Sequence, residues 1–370
     1  MGLPQEFYDD YAFNYLKLLE RYDSTKRTGK VTVNAANKVY VDDTFVAKDT
    51  FLNFIKIFYR ASVDKVDFGN PGVAAGAINR FVNAKTQGKI SDLLEPSDVD
   101  ALTRIALINA IYFKGDWKTK FERSRTTSRP FTVNGQTFNH PETMVTNSFF
   151  RMGTVPELDA SILELPYTDE DYRMLVFLPN SDQPNAVRDL DSKLRTYNVD
   201  LVDPNLDYGR VIVEMPKFKA SGKAQLSEVF RQLGVRTLFD SDLADLSDIS
   251  DEPDLFVQKI IHQAELEVNE EGSEAAAATA VLIGTRTASV GKRPRSFKVN
   301  RPFVFVIQDR SLGVPLFMGR IVDPSGQRRL GAARATKQMS ASLMAKVLRR
   351  EESEDNGSES IRFPDERGRR

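Results

Sequence analysis

Glu270–Arg286 reads EEGSEAAAATAVLIGTR. An acidic pair and a glycine lead into small residues from Ser273 to Ala280, broken only by Glu274. An apolar patch and a lone arginine follow. Alanine has the highest helix propensity, so one reading is a short buried helix. A helix of about ten residues without a packing partner is marginal in water, and the neighbouring segments do not read as helix. Leu255–Asn269 (LFVQKIIHQAELEVN) alternates as a strand does, and Ser296–Ile307 is a second β-rich run. The competing reading is a mobile loop of residues small enough to slide into a sheet.

The 370 residues are 41% hydrophobic and 28% charged, with a net charge of −1. That balance describes a globular chain with a sizeable core and no general attraction to nucleic acid or anionic membrane. The absence of cysteine excludes disulfides and thiolate metal sites. No stretch approaches the roughly 20 apolar residues of a membrane span. Met1–Asp10 is polar and lacks the apolar core of a signal peptide. Residues 327–370 turn basic, then mixed in charge and poor in aromatics, a composition that cannot offset the entropy of ordering. The expectation is one globular domain over 1–326 and a largely disordered tail over 327–370.

Periodicity supplies the elements. Tyr8–Tyr22, Thr50–Arg60, Gly72–Gly88 and Leu226–Leu233 read as helices, the third closed by Gly88. Lys30–Val41, Val63–Phe68, Ala160–Pro166, Tyr172–Leu178, Arg210–Phe218, Phe303–Ile307 and Pro315–Val322 read as strands. Ala101–Phe113 is continuously apolar and fits a strand buried on both faces. Helices and strands mix without strict alternation, which is the α+β class.

The chemistry of an enzyme is not apparent. The two histidines, His140 and His262, stand alone, and no metalloprotease, phosphate-binding or nucleophile-elbow motif occurs. A hydrolytic triad needs a histidine within reach of a nucleophile. His140 sits in an Asn-His-Pro sequence that reads as a solvated turn, and His262 in a strand-like segment that suits a structural histidine. Asp169-Glu170-Asp171 and Asp251-Glu252 read as solvated loops. The expectation is a protein that is not an enzyme and carries no cofactor or metal.

From about Asn34 to Gly326 the chain resembles the serpins, the serine protease inhibitor family. The fragments NAANKVYV, AINRFVNAKTQGKISDLL, LINAIYFKGDWKTKF, ILELPY, MPKFK, LGVRTLFD, HQAELEVNEEGSEAAAAT, FKVNRPFVFVI and PLFMGRIVDP occur in the family's order. The resemblance implies an α+β fold of three sheets with an exposed reactive loop. That loop baits a protease, is cleaved, and inserts as a new strand while the protease stays attached as an acyl-enzyme. Loop insertion in serpins is a known case of strand addition and of strain released by cleavage. It also implies an extracellular protein, with a cytoplasmic one as the alternative.

On that resemblance, Glu270, Glu271, Gly272, Ser273, Glu274, Ala275, Ala276, Ala277, Ala278 and Thr279 form the loop hinge. Alternate residues of an inserting strand share a face; Ala275, Ala277 and Thr279, counted from Ser273, are small enough to enter beneath a covering helix. Gly272 supplies backbone freedom. The family's count of seventeen residues from Glu270 sets the reactive bond at Arg286-Thr287. An arginine there suits the acidic pocket of a trypsin-like protease. Lys292, Arg293 and Arg295 follow as a further basic surface. Asn109, Trp117, Lys217 and His262 match the family's structural switch: Lys217 bridges Glu270 beside Trp117, and Asn109 with His262 marks the point where the central strands part. A glycosaminoglycan site would have only Lys17, Arg21, Lys26 and Arg27 behind it, which read better as a solvated helical face.

Family members carry two or three helices and a strand ahead of this point, including a Ser-Pro helix start packed on Asn109 and His262. The expectation is an N-terminally incomplete serpin domain with an unrelated C-terminal tail. Several hundred Å² of apolar surface would be uncovered, on the order of 10 kcal/mol at about 25 cal/mol per Å². The alternative to an inhibitor is therefore a non-inhibitory binding protein of the same fold, or an inactive truncated product.

Overall fold

The structure is a computed structural model that describes residues 12–17, 19–20, 31–251, 255–273 and 293–325. Residues 12–17 and 19–20 are helical, within the expected Tyr8–Tyr22 helix. The tail reading for 327–370 falls outside the described residues.

Two sheets carry the architecture. The first contains β1 (Val31–Asp42), β2 (Val63–Val66), β3 (Ile105–Asp116), β9 (Phe218–Gln225), β10 (Lys259–Val268) and the two-residue β11 (Gly272–Ser273). Their spatial order is β2-β1-β3-β11-β10-β9, and β3 also pairs directly with β10. The second contains β4 (Thr127–Val133), β5 (Gln136–Val155), β6 (Ala160–Pro166), β7 (Tyr172–Pro179), β8 (Leu206–Pro216), β12 (Arg295–Lys298), β13 (Phe303–Asp309) and β14 (Val314–Ile321). Its order is β12-β8-β5-β6-β7-β13-β14, with β4 on β5. The resemblance implies three sheets. The 20-residue β5 pairs with β4, β6 and β8 and so joins two of them into one ladder.

The helices cover these sheets. α1 spans Asp49–Phe58 and α2 spans Pro71–Lys85. α2 begins with proline where the missing N–H has no intrahelical partner. It buries Ala74, Ala75, Ile78 and Val82, at helical spacing on one face. Those side chains pack on Ala36, Ala106, Ile108 and Ala110, the even-numbered face of β1 and β3. The cap is Thr86, whose amide and hydroxyl both bond Val82 O. The expected Gly88 turns left-handed just beyond (φ 81°) and donates to Asn83 O at 2.8 Å. α3 (Ala186–Leu194) packs Val187, Leu190 and Leu194 on Ile162, Phe177 and Val306 of the second sheet, and α4 spans Ser227–Gln232.

Between the sheets lies the main core, with Val31, Val33, Phe113, Trp117, Tyr167, Leu266, Val268, Phe303 and Phe305. All eight residues of β7 and all seven of β13 are buried, which is why they read as apolar runs. Arg173, 1% exposed, lies inside the second sheet, meets Glu164 at 2.9 Å and Asp203 at 2.6 Å, and donates from Nε to Gln308. A buried charge persists only with such partners.

His140 is not in a solvated turn. It lies in β5, 3% exposed, opposite Arg129 of β4. The reversal comes earlier, at Asn134-Gly135, both at positive φ (50° and 77°) between Val133 and Gln136. Asn-Gly is the preferred two-residue hairpin turn, and it sets the register that carries His140 inward. Burial holds its imidazole below its usual pKa, against the pull of Glu142, Asp323 and the Pro324 carbonyl.

Candidate functional site: the hinge between β3 and β10

β3 and β10 run parallel and are paired from Ala106↔Lys259 to Tyr112↔Glu265. Above Tyr112 they separate, and β11 fills the gap. Gly272 pairs with Asp116 and Ser273 with Gly115 on one side, and Ser273 with Val268 on the other, all antiparallel. A tight turn makes this possible. Asn269 N–H donates to Gly272 O at 2.9 Å, and Asn269 Oδ1 accepts from the amides of Glu271 and Gly272. Glycine is required at 272: a Cβ there would collide with Gly115 O and lie 2.7 Å from Asp116 Cα.

Ser273 is fully buried and shares a 2.7 Å hydrogen bond with the Tyr167 hydroxyl. Burial raises the Tyr167 phenol far above its usual pKa, and the Ser273 bond offsets only part of that. Tyr167 stacks on Trp117, centroids 4.6 Å apart. Trp117 then holds the turn twice: its indole donates to Asn269 O at 3.0 Å and its amide to Glu271 O at 2.8 Å.

The two glutamates are clasped separately. Glu270, 4% exposed, accepts from Lys217 Nζ at 2.9 Å and from the Thr126 hydroxyl at 2.7 Å, and its carbonyl accepts from Phe121 N. Burial works to raise the Glu270 pKa, but the Thr126 and Lys217 bonds outweigh it and hold the carboxyl below its usual range. Lys217 moves the other way. Burial lowers it, and its bonds to Glu142 and Glu270 raise it further. Glu271 meets Lys120 at 2.7 Å and Arg123 at 3.6 Å.

Asn109 and His262 face each other in register. The His262 ring bonds Asn109, and Asn109 in turn bonds Asn37. The strands are joined at this level, so the pair sits within the closed seam and not where the strands part. Burial holds His262 below its usual pKa.

Other sequence expectations meet the structure unevenly. Ser273 points into the core of Phe113 and Tyr167, the face opposite α2, so residues sharing its face would meet core aromatics instead of a covering helix. Arg295 is no part of an open basic surface: its guanidinium donates to Met152 O at 3.0 Å and Asp207 O at 2.6 Å. Arg293 is exposed. Glu274, Ala275, Ala276, Ala277, Ala278, Thr279, Arg286, Thr287 and Lys292 lie outside the described residues, as do Arg21, Lys26 and Arg27. The exposed Lys17 sets its ammonium 4.4 Å from the Phe13 ring centroid.

Sequence reasoning missed Thr126, Lys120, Arg123, Asn269 and Tyr167 as parts of this site. Tyr167 ends the ILELPY fragment, and Asn269 before two glutamates and a glycine is a recognisable side-chain-capped turn. The three others contribute through tertiary placement alone.

A serpin (serine protease inhibitor) family profile matches residues 3–324, starting ahead of the Asn34 at which the motif match begins. The human (Homo sapiens) leukocyte elastase inhibitor is 36% identical over 307 residues, covering 82% of this chain and 80% of that protein. The crystal structure of Serpin48 from the insect Tenebrio molitor superposes with a TM-score of 0.74 at 29% identity, covering 87% of this chain and 82% of the other. Native protease nexin-1, solved with heparin, gives 0.72 at 32% identity, with 84% and 81% coverage. The profile span, the shared fold and the hinge between β3 and β10 agree: the chain belongs to the serpin family of serine protease inhibitors.

Proposed function

We propose that this chain inhibits a trypsin-like serine protease as a suicide substrate, with Arg286-Thr287 as the scissile bond. The supporting observation is that Gly272 and Ser273 already lie between β3 and β10, antiparallel to both. The chain thus enters the sheet heading along the seam. Continued one for one down β3, the register sets Lys114 opposite Glu274 and Ile105 opposite Ile283. Ala275, Ala277 and Thr279 would follow Ser273 onto the core face, where small side chains avoid overpacking.

The chemistry is ordinary acyl transfer. The protease serine attacks the Arg286 carbonyl, the bond to the Thr287 nitrogen breaks, and that amine leaves with a proton from the protease histidine. Insertion then competes with hydrolysis of the new ester. The named relatives support serine proteases as the target class; the trypsin-like preference rests on Arg286. Nothing in this scheme uses cysteine, so it operates in an extracellular or a cytoplasmic setting. Incubation with trypsin followed by a denaturing gel tests it. A stable complex near the summed masses supports the proposal, and cleavage without a complex overturns it.

The closed seam favours a second reading. Insertion must break the β3–β10 pairing over Ala106–Tyr112, and a chain whose seam holds would be a non-inhibitory binding protein of serpin fold. Cleavage of the loop discriminates: insertion raises the melting temperature sharply, and a closed seam leaves it unchanged.

A further inference from the structure

His140 reaches the hinge through a single residue. Its Nδ1 accepts from the Glu142 amide at 3.3 Å. The Glu142 carbonyl accepts from the Lys217 amide at 2.9 Å, and its carboxylate meets Lys217 Nζ at 2.9 Å. The same ammonium meets Glu270 at 2.9 Å. The amide of Glu142 thus serves the histidine, and its two other polar groups serve the lysine that clasps the hinge.

The rest of the ring faces the end of the second sheet. The Pro324 carbonyl bonds it and the Asp323 carboxylate bears on it, just past β14, which ends at Ile321. From β4 its partner in register is Arg129. With Nδ1 accepting, the neutral imidazole carries its proton on the other nitrogen, where the Pro324 carbonyl can take it.

A second proton breaks this arrangement. It would land on Nδ1, and the Glu142 amide would then face a donor with a donor. An imidazolium on a residue only 3% exposed needs a carboxylate beside it, and Arg129 offers none. Glu142 and Asp323 do. The Glu142 side chain is 59% exposed, so it can turn to the ring without unpacking anything. In turning it leaves Lys217.

We propose that His140 is a proton-operated latch joining the Asp323-Pro324 end of the domain to the Lys217–Glu270 clasp, closed when the ring is neutral and open when it is protonated. Burial makes the folded state favour the neutral ring. The latch is therefore fully effective above the unfolded value of about 6.5 and is lost as pH falls below it. It sets how firmly β11 is held, whether or not the chain captures a protease.

Hydrogen exchange of the Trp117 and Phe121 amides, which bond the Glu271 and Glu270 carbonyls, tests it. Rates are followed from pH 7.5 to 5.5 in the full wild-type chain and in His140→Gln. Their ratio cancels the intrinsic pH dependence of exchange and the titration of His262, which both chains share. The wild-type rate should rise about three- to tenfold over the variant between pH 6.5 and 5.5, tenfold being the most that one proton gives over one pH unit. A constant ratio overturns the latch. Should His140→Gln fail to fold, His262→Gln leaves one histidine and is compared with His262→Gln/Glu142→Gln, which keeps the ring and removes the carboxylate that turns. The first should lose hinge protection on acidification and the second should not; equal behaviour overturns the latch as well.

Discussion

The hydroxyls of Ser273 and Tyr167 share a 2.7 Å hydrogen bond, and both residues are fully buried. The first residue of the alanine-rich stretch is thus part of the core before any protease arrives. Replacing Ser273 with Arg puts an unpaired guanidinium among Phe113, Trp117 and Tyr167, a change that costs several kcal/mol. The hinge should be expelled and insertion blocked. On denaturing gels the covalent complex with trypsin should vanish while cleaved chain accumulates. The milder Tyr167→Phe should lower stability by about 1–2 kcal/mol, read as a shift in melting temperature of a few degrees.

Lys217→Ala removes one of the two donors to a carboxylate that is 5% exposed at its side chain. Leaving a buried charge underpaired is expensive, and a loss of about 2–4 kcal/mol is expected. Hydrogen exchange should report it locally, because the amides of Trp117 and Phe121 bond the carbonyls of Glu271 and Glu270. Glu142→Ala should cost under about 1 kcal/mol, since Glu142 is 59% exposed and exposed pairs contribute little. Equal losses in the two variants would sink the clasp.

Acid should release the hinge in a defined window. The Glu270 carboxyl is held below its usual range by Thr126 and Lys217 against the opposing effect of burial. The folded state therefore favours the ionised form. Its stabilisation is complete above the unfolded value of about 4.3 and is lost as pH falls through the depressed folded value. Fluorescence of Trp117, the chain's only tryptophan, should change over that acid range, and Glu270→Gln should remove the transition.

A second window belongs to His262. Burial depresses its pKa, so the folded state favours the neutral ring. That contribution is complete above about 6.5 and erodes as pH falls below it. Denaturant melts at pH 7.5 and 5.5 should show wild type losing more stability than His262→Gln. A variant that tracks wild type across this range removes His262 as the cause.

Gly272→Val should act through shape alone. Its Cβ would occupy the space of Gly115 O, so the turn cannot close and β11 should detach. Limited proteolysis should then cut near residue 273 faster than in wild type. Arg286→Leu, by contrast, should leave the fold intact and lower the rate with trypsin by a factor of roughly 100 or more, because the acidic pocket loses its partner.

Local pattern reveals much of this molecule. Strands β6, β7 and β13 are legible because their continuous apolar runs match burial on both faces. α2 is legible from its helical spacing and glycine stop. What escaped are features that depend on partners distant in sequence. Nothing around Thr126 or Lys120 announces that each will face a glutamate more than 140 residues away. The polar alternation of Gln136–Val155 hid a 20-residue strand, and the Asn134-Gly135 turn that would have exposed it passed unread. Within the basic cluster after the loop, Arg295 misled for the same reason: it looks free in the sequence, yet backbone carbonyls on two strands hold it.

The twelve residues of β3 also act as a ruler. Eleven steps of about 3.3 Å separate Asp116, where β11 starts, from Ile105, roughly 36 Å away. A protease esterified to Arg286 would be towed that length of sheet once Ile283 reached Ile105. The severed half would stay behind, moored by Arg295. On the proposed mechanism, how far the captive travels would be fixed by the length of a single strand and would be the same for every protease.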